Sequence, residues 1–417
     1  MKPILSEDAK ETSIPGHSGK YYGFPKQGGS SQSFWLQCAA ADELLNHITT
    51  ANLPLAADLV VIGSGMTGTL VANHYIERWP ERTVVVLEAR EFCSGATGRN
   101  AGHCKPDQWR GFAAYEKKFG TSQALKILEN EHETWSSLVN YVQEQDIDCD
   151  LWVGHTIDVP MTLEAANTAN NEFQHLKTKG GKVEHIKVTS NSTLAAKISH
   201  IKDAQACYAW PASTLNPWKL TAHIMRTNLA KGVNLQTNTP ATAIIPSCQN
   251  TGKWVVKTER GDIESSQVVH ATNAYSSALE PTLRGLVRPT PHICQRAVPP
   301  VESVLHTDTL QHSYGVLLGN GSFYSINPRT AAEGSVLFGG DNPGQHEFDK
   351  WLQGNPSRCT DDGLVSFPSI TKAVQEFTET QLGWDATNFA DGESPICQSW
   401  SGIIALASTL PSVSNAG

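Results

Sequence analysis

The residues with the clearest chemical purpose are the glycines of Gly63-Ser64-Gly65-Met66-Thr67-Gly68 and the acid Glu88, which stands 20 residues beyond Gly68. Glycine at these spacings lets a turn bring backbone N–H groups up to a phosphate. Gly63 makes the tight turn, Gly65 lets the main chain approach a pyrophosphate, and Gly68 lets the next helix pack closely on the preceding strand. Met66 and Thr67 open that helix and present its positive dipole end. An acid at the position of Glu88 accepts hydrogen bonds from a ribose 2′-OH and repels a 2′-phosphate, with Ala89 and Arg90 following it along the same pocket. The chemistry is recognition of a dinucleotide other than NADP.

Glycine clusters also make ordinary turns, so the reading depends on the elements around this one. Residues 58–62 (DLVVI) form a short apolar run that suits a buried parallel strand, and residues 83–87 (TVVVL) form a second, ending at the acid. Strand, glycine turn, helix, strand and acid in that order predict a nucleotide-binding unit.

A second run decides which dinucleotide is expected. Cys93-Ser94-Gly95-Ala96-Thr97-Gly98-Arg99-Asn100-Ala101-Gly102-His103 is small and polar, so its backbone can pass close to an extended cofactor. Its hydroxyls and amides can bond pyrophosphate oxygens, and Arg99 can add charge. Here the chain resembles the D-amino-acid-oxidase-like family of FAD-dependent oxidoreductases. In that family such a segment passes the pyrophosphate and one face of the flavin. The resemblance continues through Asn216-Pro217-Trp218, Ala271-Thr272-Asn273-Ala274-Tyr275, Phe338-Gly339-Gly340-Asp341 and Trp400-Ser401-Gly402-Ile403.

The resemblance implies FAD as cofactor, held by Gly63, Gly65, Met66, Thr67, Gly68, Glu88, Ala89, Arg90, Ser94, Gly95, Thr97, Gly98, Arg99, Asn100, Ala101, Gly102, Ala271, Thr272 and Asn273, and a substrate that is a small amine or amino-acid-like molecule. It also implies that hydride passes to the flavin while the protein supplies position, electrostatics and exclusion of water. Candidate catalytic residues are Arg99 and His103 beside the flavin, and Tyr324 with Arg329 on a substrate sheet. Arg329 can hold a carboxylate bidentately, or it is a surface arginine in a Pro328-Arg329 loop. Tyr324 contacts substrate or is half-buried packing. His103 and Cys397 are candidate covalent flavin anchors, or ordinary residues. Some relatives that react quickly with oxygen carry a lysine in the strand that here reads Ser335-Val336-Leu337-Phe338, so dehydrogenase and oxidase chemistry both stay open. Family members continue past the 400–403 motif through a further strand, a glycine-rich loop and a helix, whereas this sequence stops at Gly417. The comparison implies that a second flavin contact is missing.

The expected fold is α/β, a Rossmann-like FAD-binding domain interleaved with a smaller α+β substrate domain. The predicted parts are an arm at 1–57 wrapping the surface, a nucleotide domain at 58–110, 213–280 and 390–417, and a helical insertion with substrate sheet at 111–212 and 281–389. Leu128, Trp135, Leu138, Val139 and Val142 predict a helix over about 121–145. The runs 254–258 and 267–270 predict a β-meander feeding Ala271.

A formal charge of -9 provides no basic face for nucleic acid, and no 18-residue apolar run suggests a membrane span. The polar residues 1–20 do not read as a secretory signal, so a cytoplasmic location is expected by elimination. Nine cysteines without a CxxC pair or zinc spacing read as mostly reduced thiols, with no metal site. Oligomeric state is not readable. Three functions remain: an FAD-dependent oxidoreductase acting on a C–N bond, a truncated non-catalytic relative, and an NAD-linked enzyme.

Overall fold

The computed structural model describes residues 23–26, 28–300, 310–329, 334–384, 389 and 394–407. The N-terminal stretch 1–20 and the last residues, 408–417, on which two of the expectations above fall, lie outside the described residues. Strands are numbered along the chain. β1 (Ala56–Ile62) and β2 (Val84–Leu87) run parallel, with Leu59 opposite Val84 and Ile62 opposite Leu87. Their β-branched runs suit strands covered on both faces, and Val60, Val61 and Val86 have no exposed surface. Helix Met66–Arg78 connects them. β7 (Asn234–Gln236), β8 (Ala241–Pro246), β9 (Trp254–Thr258) and β10 (Gly261–His270) complete a six-stranded sheet in the order β7-β2-β1-β10-β9-β8. The first four are mutually parallel, and β9 and β8 return antiparallel as the expected meander.

A second sheet runs β15-β11-β14-β13-β12-β4-β6-β3, with β5 beside β6. Its strands are β3 (His103–Cys104), β4 (Trp152–Pro160), β5 (Lys187–Thr189), β6 (Cys207–Thr214), β11 (Val287–Ala297), β12 (Ser313–Leu317), β13 (Phe323–Arg329), β14 (Ser335–Gly339) and β15 (Ile396–Ala407). Two boundaries differ from the expectation. The chain enters this sheet at His103, inside the segment 58–110 assigned to the nucleotide domain. β15, assigned there too, instead hydrogen-bonds along β11 from Val287–Ala407 to Ala297–Ile396. A long partner strand satisfies its backbone groups better than a sheet already bounded by β7 and β8.

Helix Thr121–Glu144 forms as its periodicity requires, burying Leu128, Val139 and Val142, while Trp135 donates its indole N–H to Ser213. The N-terminal arm departs from a surface wrap. In helix Phe34–Cys38, Phe34, Trp35 and Leu36 are buried and join a core with Phe92, Trp218, Leu337 and Trp400, which draws on both sheets. A Phe-Trp-Leu run is too apolar to leave in water, since each such side chain contributes roughly 1.5–3 kcal/mol when buried.

Candidate functional site

The glycine turn has the geometry the sequence called for. Gly63 has φ +107, and a Cβ there would lie 2.4 Å from the Ala271 carbonyl oxygen. A Cβ on Gly68 would lie 1.9 Å from the Gly63 carbonyl oxygen, so helix and strand meet at a distance only glycine permits. Gly65 precedes helix Met66–Arg78 with no side-chain cap, which leaves N–H groups of the first turn facing outward. The Met66 N–H is the exception, donating to the Thr97 hydroxyl at 3.1 Å and tying the turn to the 94–102 loop. Glu88 is held by its own neighbours: one carboxylate oxygen accepts from the Ser64 N–H (3.0 Å) and hydroxyl (2.7 Å), the other from the Arg90 N–H (3.1 Å).

These residues open onto a cavity of about 420 Å³, within the range of small-molecule sites. Gly63, Gly65, Met66, Thr67, Glu88, Ala89, Arg90, Gly95, Thr97, Arg99, Ala271, Thr272 and Asn273 line it, all residues singled out from the sequence. Gly68, Ser94, Gly98, Asn100, Ala101 and Gly102 stand behind or beyond this wall. The Ser94 hydroxyl is buried without a partner among the described residues, and so is that of Tyr275, another lining residue. Asn100 shapes the loop by accepting from the Gly102 N–H at 2.7 Å, and Ala101 accepts from the Asn327 amide at 2.6 Å. Gly102 (φ +75) is confined by Leu215, Trp35 and Asn327.

Three of the four candidate catalytic residues need correction or refinement. The Arg99 guanidinium is spent inside the protein, donating to the carbonyls of Ser94 (2.6 Å), Ser31 (2.7 Å) and Ser401 (3.1 Å), with Asp362 at 3.6 Å. It clasps loop, arm and β15 together. Burial lowers its pKa, with the Asp362 charge opposing. Arg90 shares that carboxylate at 2.8 Å; burial works to lower its pKa, but Asp362, with Tyr275 and Glu88, raises it overall.

Tyr324 is packed in the core, the packing alternative weighed for it. Along β13 it sits with Ile326 in the core beneath the sheet, its hydroxyl donating to the Ala373 carbonyl at 3.1 Å, and burial pushes its pKa to about 12. Asn327 and Arg329 occupy the opposite face, since alternate strand residues point opposite ways. Arg329 is not a surface arginine: only 3% of its side chain is exposed. Its guanidinium lies over the Trp35 ring at 5.2 Å, donates to the Thr214 hydroxyl at 3.3 Å and stands 3.6 Å from the Asp150 carboxylate. The Arg329 Nε has no partner among the described residues.

His103 follows the loop directly, paired across β3 with Thr214, the residue Arg329 touches. Both its ring nitrogens are buried without partners among the described residues. Burial, then the charges of Lys105 and Arg329, hold its pKa well below the ordinary value. Cys397, the other candidate anchor, is exposed on β15.

Sequence reasoning missed a buried charge cluster on the same sheet. Asp158, fully buried on β4, has Arg110 Nε at 3.0 Å and Lys105 Nζ at 4.0 Å, yet neither carboxylate oxygen has a hydrogen bond of good geometry among the described residues. Burial raises the Asp158 pKa and lowers that of Lys105. The signal was available: in residues 152–160 (WVGHTIDVP) an acid alternates with Ile157 and Val159, and an acid in such a strand needs a cation. No group of three or more His, Cys, Asp or Glu residues among those described could hold a metal. No helix among them is long and apolar enough to cross a membrane.

A parallel sheet with a glycine turn, a carboxylate-bearing second strand and a cavity at their C-terminal ends, joined to a large mixed sheet, is the arrangement of a dinucleotide-binding α/β fold. Comparison with known proteins agrees. The profile of the DAO family, described as FAD dependent oxidoreductase, matches residues 58–417, and the chain belongs to that family. It is 22% identical to the probable oxidoreductase OrdL of Haemophilus influenzae over 79% of this chain and 72% of that protein. It is 25% identical to the gamma-glutamylputrescine oxidoreductase of Escherichia coli over 56% of this chain and 53% of that protein, so that match spans about half of the relative. Among solved structures, L-amino acid deaminase from Proteus vulgaris superposes with a TM-score of 0.62 at 15% identity, covering 87% of this chain and 86% of its own.

Proposed function

We propose that this protein binds FAD in the cavity above the glycine turn and oxidises a C–N bond of a small amine, amino acid or related metabolite by hydride transfer to the flavin. The observation that carries the cofactor reading is the wall of the cavity. A turn where added Cβ atoms would strike backbone, an uncapped helix end, an anchored Glu88 and the Ser94 and Tyr275 hydroxyls, buried without partners among the described residues, together suit a long polar ligand with a pyrophosphate. The names of the relatives, which act on γ-glutamylputrescine and on L-amino acids, support an amine-bearing substrate.

Bound flavin supplies the two-electron acceptor, and the chain's residues do the positioning. Glu88, oriented by Ser64 and Arg90, offers its remaining lone pairs to ribose hydroxyls. The net positive pair Arg90 and Arg99 around a single Asp362 lies in the cavity wall and favours an anionic ligand. His103, kept neutral by its surroundings, can accept or donate one hydrogen bond beside the loop, and Arg329 retains an unused N–H for a substrate carboxylate.

The test is the 350–550 nm spectrum of protein purified without added cofactor, before and after desalting. Twin flavin bands near one per chain are expected, followed by bleaching under anaerobic conditions with at least one amine or amino acid. A protein that stays colourless after incubation with FAD refutes the cofactor reading. A yellow protein bleached by dithionite but by no amine refutes the C–N reading.

A further inference from the structure

The segment preceding the family's matched region, 58–417, is built into the cavity wall. Phe24 and Pro25 line it alongside Glu88, Arg90 and Tyr275. The following residues are pinned along a single strip. Lys26 pairs with Asp361 at 3.0 Å, and the Ser31 N–H donates to the Asp362 carbonyl at 2.8 Å. Gly363 approaches Gly29 so closely that a Cβ on Gly363 would lie 2.4 Å from the Gly29 carbonyl oxygen. Ser31, 5% exposed, then acts as a latch. Its hydroxyl donates to the Asp362 carbonyl at 2.6 Å and accepts from the Ser401 N–H at 3.0 Å, while its carbonyl accepts from Arg99.

We propose that residues 24–26 and 28–31 are a working part of the nucleotide site: Phe24 and Pro25 cover the bound nucleotide, and the Ser31 latch holds them over it. This inference rests on the FAD reading above. Three features converge. Phe24 keeps 41% of its surface exposed at the cavity rim, an apolar area that a bound nucleotide would cover. Asp362 accepts from Arg90 and pairs with Arg99 through its carboxylate, and accepts from Ser31 through its backbone, so the latch and the charged wall share one residue. The 361–363 strip is far along the chain, so the cover closes only when the second half of the protein has folded around the first.

The test compares FAD binding to the wild-type chain, Phe24→Ala, Phe24→Tyr and Ser31→Ala, by the change in flavin fluorescence on binding and by release after dilution. Phe24→Ala, at an exposed position, should leave the melting temperature of the apoprotein unchanged yet raise the FAD dissociation constant about fivefold, through faster release. Phe24→Tyr should restore wild-type retention, and Ser31→Ala should release FAD at least as fast as Phe24→Ala. If Phe24→Ala holds FAD as the wild type does, the proposal is overturned, whatever Ser31→Ala does to folding. If the wild-type chain itself takes up no FAD, the cofactor reading fails and the proposal fails with it.

Discussion

Replacing Gly68 by alanine tests the shortest of the added-Cβ contacts among the described glycines. The added Cβ would start 1.9 Å from the Gly63 carbonyl oxygen, 3.0 Å from the Gly63 carbonyl carbon and 3.2 Å from the Ala271 Cβ. Real contacts of this kind lie at 3.0–3.4 Å or beyond, so helix Met66–Arg78 has to withdraw from the turn by about 1.1–1.5 Å, the difference between those limits and 1.9 Å. The two nearest obstacles are backbone, the third is a Cβ with no torsion to turn, and Gly63 is already committed to φ +107, so no side chain can rotate out of the way. Overpacking of this kind costs about 1–3 kcal/mol. The same withdrawal carries the helix N–H groups away from the pyrophosphate, and their attraction falls off within the first turn. Gly95→Ala is the internal control, because nothing lies within 4 Å of its added Cβ. Melting of the two apoproteins and titration with FAD should separate them clearly: Gly68→Ala melts several degrees lower and binds FAD at least tenfold more weakly, while Gly95→Ala melts with the wild type. Equal melting temperatures for Gly68→Ala and Gly95→Ala would refute the close-packing argument.

Glu88→Gln leaves the Ser64 N–H and hydroxyl with a neutral acceptor and should weaken FAD binding about tenfold, as expected for losing charge-assisted bonds, which equilibrium fluorescence titration measures. Tyr324→Phe removes the hydroxyl bond to Ala373 and should lower stability by about 0.5–1.5 kcal/mol with no change in FAD affinity. A change in substrate turnover with unchanged stability would instead return Tyr324 to the site. His103 provides a pH signature. Its folded pKa is depressed from 6.5, so below pH 6.5 the unfolded chain takes up a proton that the folded one refuses. Its contribution is therefore complete above pH 6.5 and is lost as pH falls towards the folded value. In His103→Gln that share of the acid loss should vanish, so the gap in melting temperature between wild type and variant is constant above pH 6.5 and moves in the variant's favour below it. A gap independent of pH contradicts the assignment.

Much of the nucleotide half was legible in the residues because its determinants are local. A glycine turn, the strand before it and the acid after it sit within a few dozen residues, and the conformations they require are properties of those residue types. The helix Thr121–Glu144 and the meander of β9 and β10 were equally local, since periodicity belongs to the element itself. Alternation also carried a warning that went unused: Tyr324 and Arg329 are an odd number of residues apart on one strand and cannot share a face.

What only the tertiary structure decided are the partners of charged and apolar groups distant in the chain. Arg99 looked like a cofactor ligand by its neighbourhood, yet Ser31, Asp362 and Ser401 claim its guanidinium. Asp158 acquires its meaning from Lys105 and Arg110, brought beside it when β4 and β3 both pair with β6. The arm at Phe34–Leu36 became core because Trp218, Leu337 and Trp400 converge on it from separate elements. Backbone preference is written into residues one at a time, and so the turn and the strands could be read in order along the chain. Burial and charge pairing are settled by which surfaces meet, and that depends on the whole fold at once.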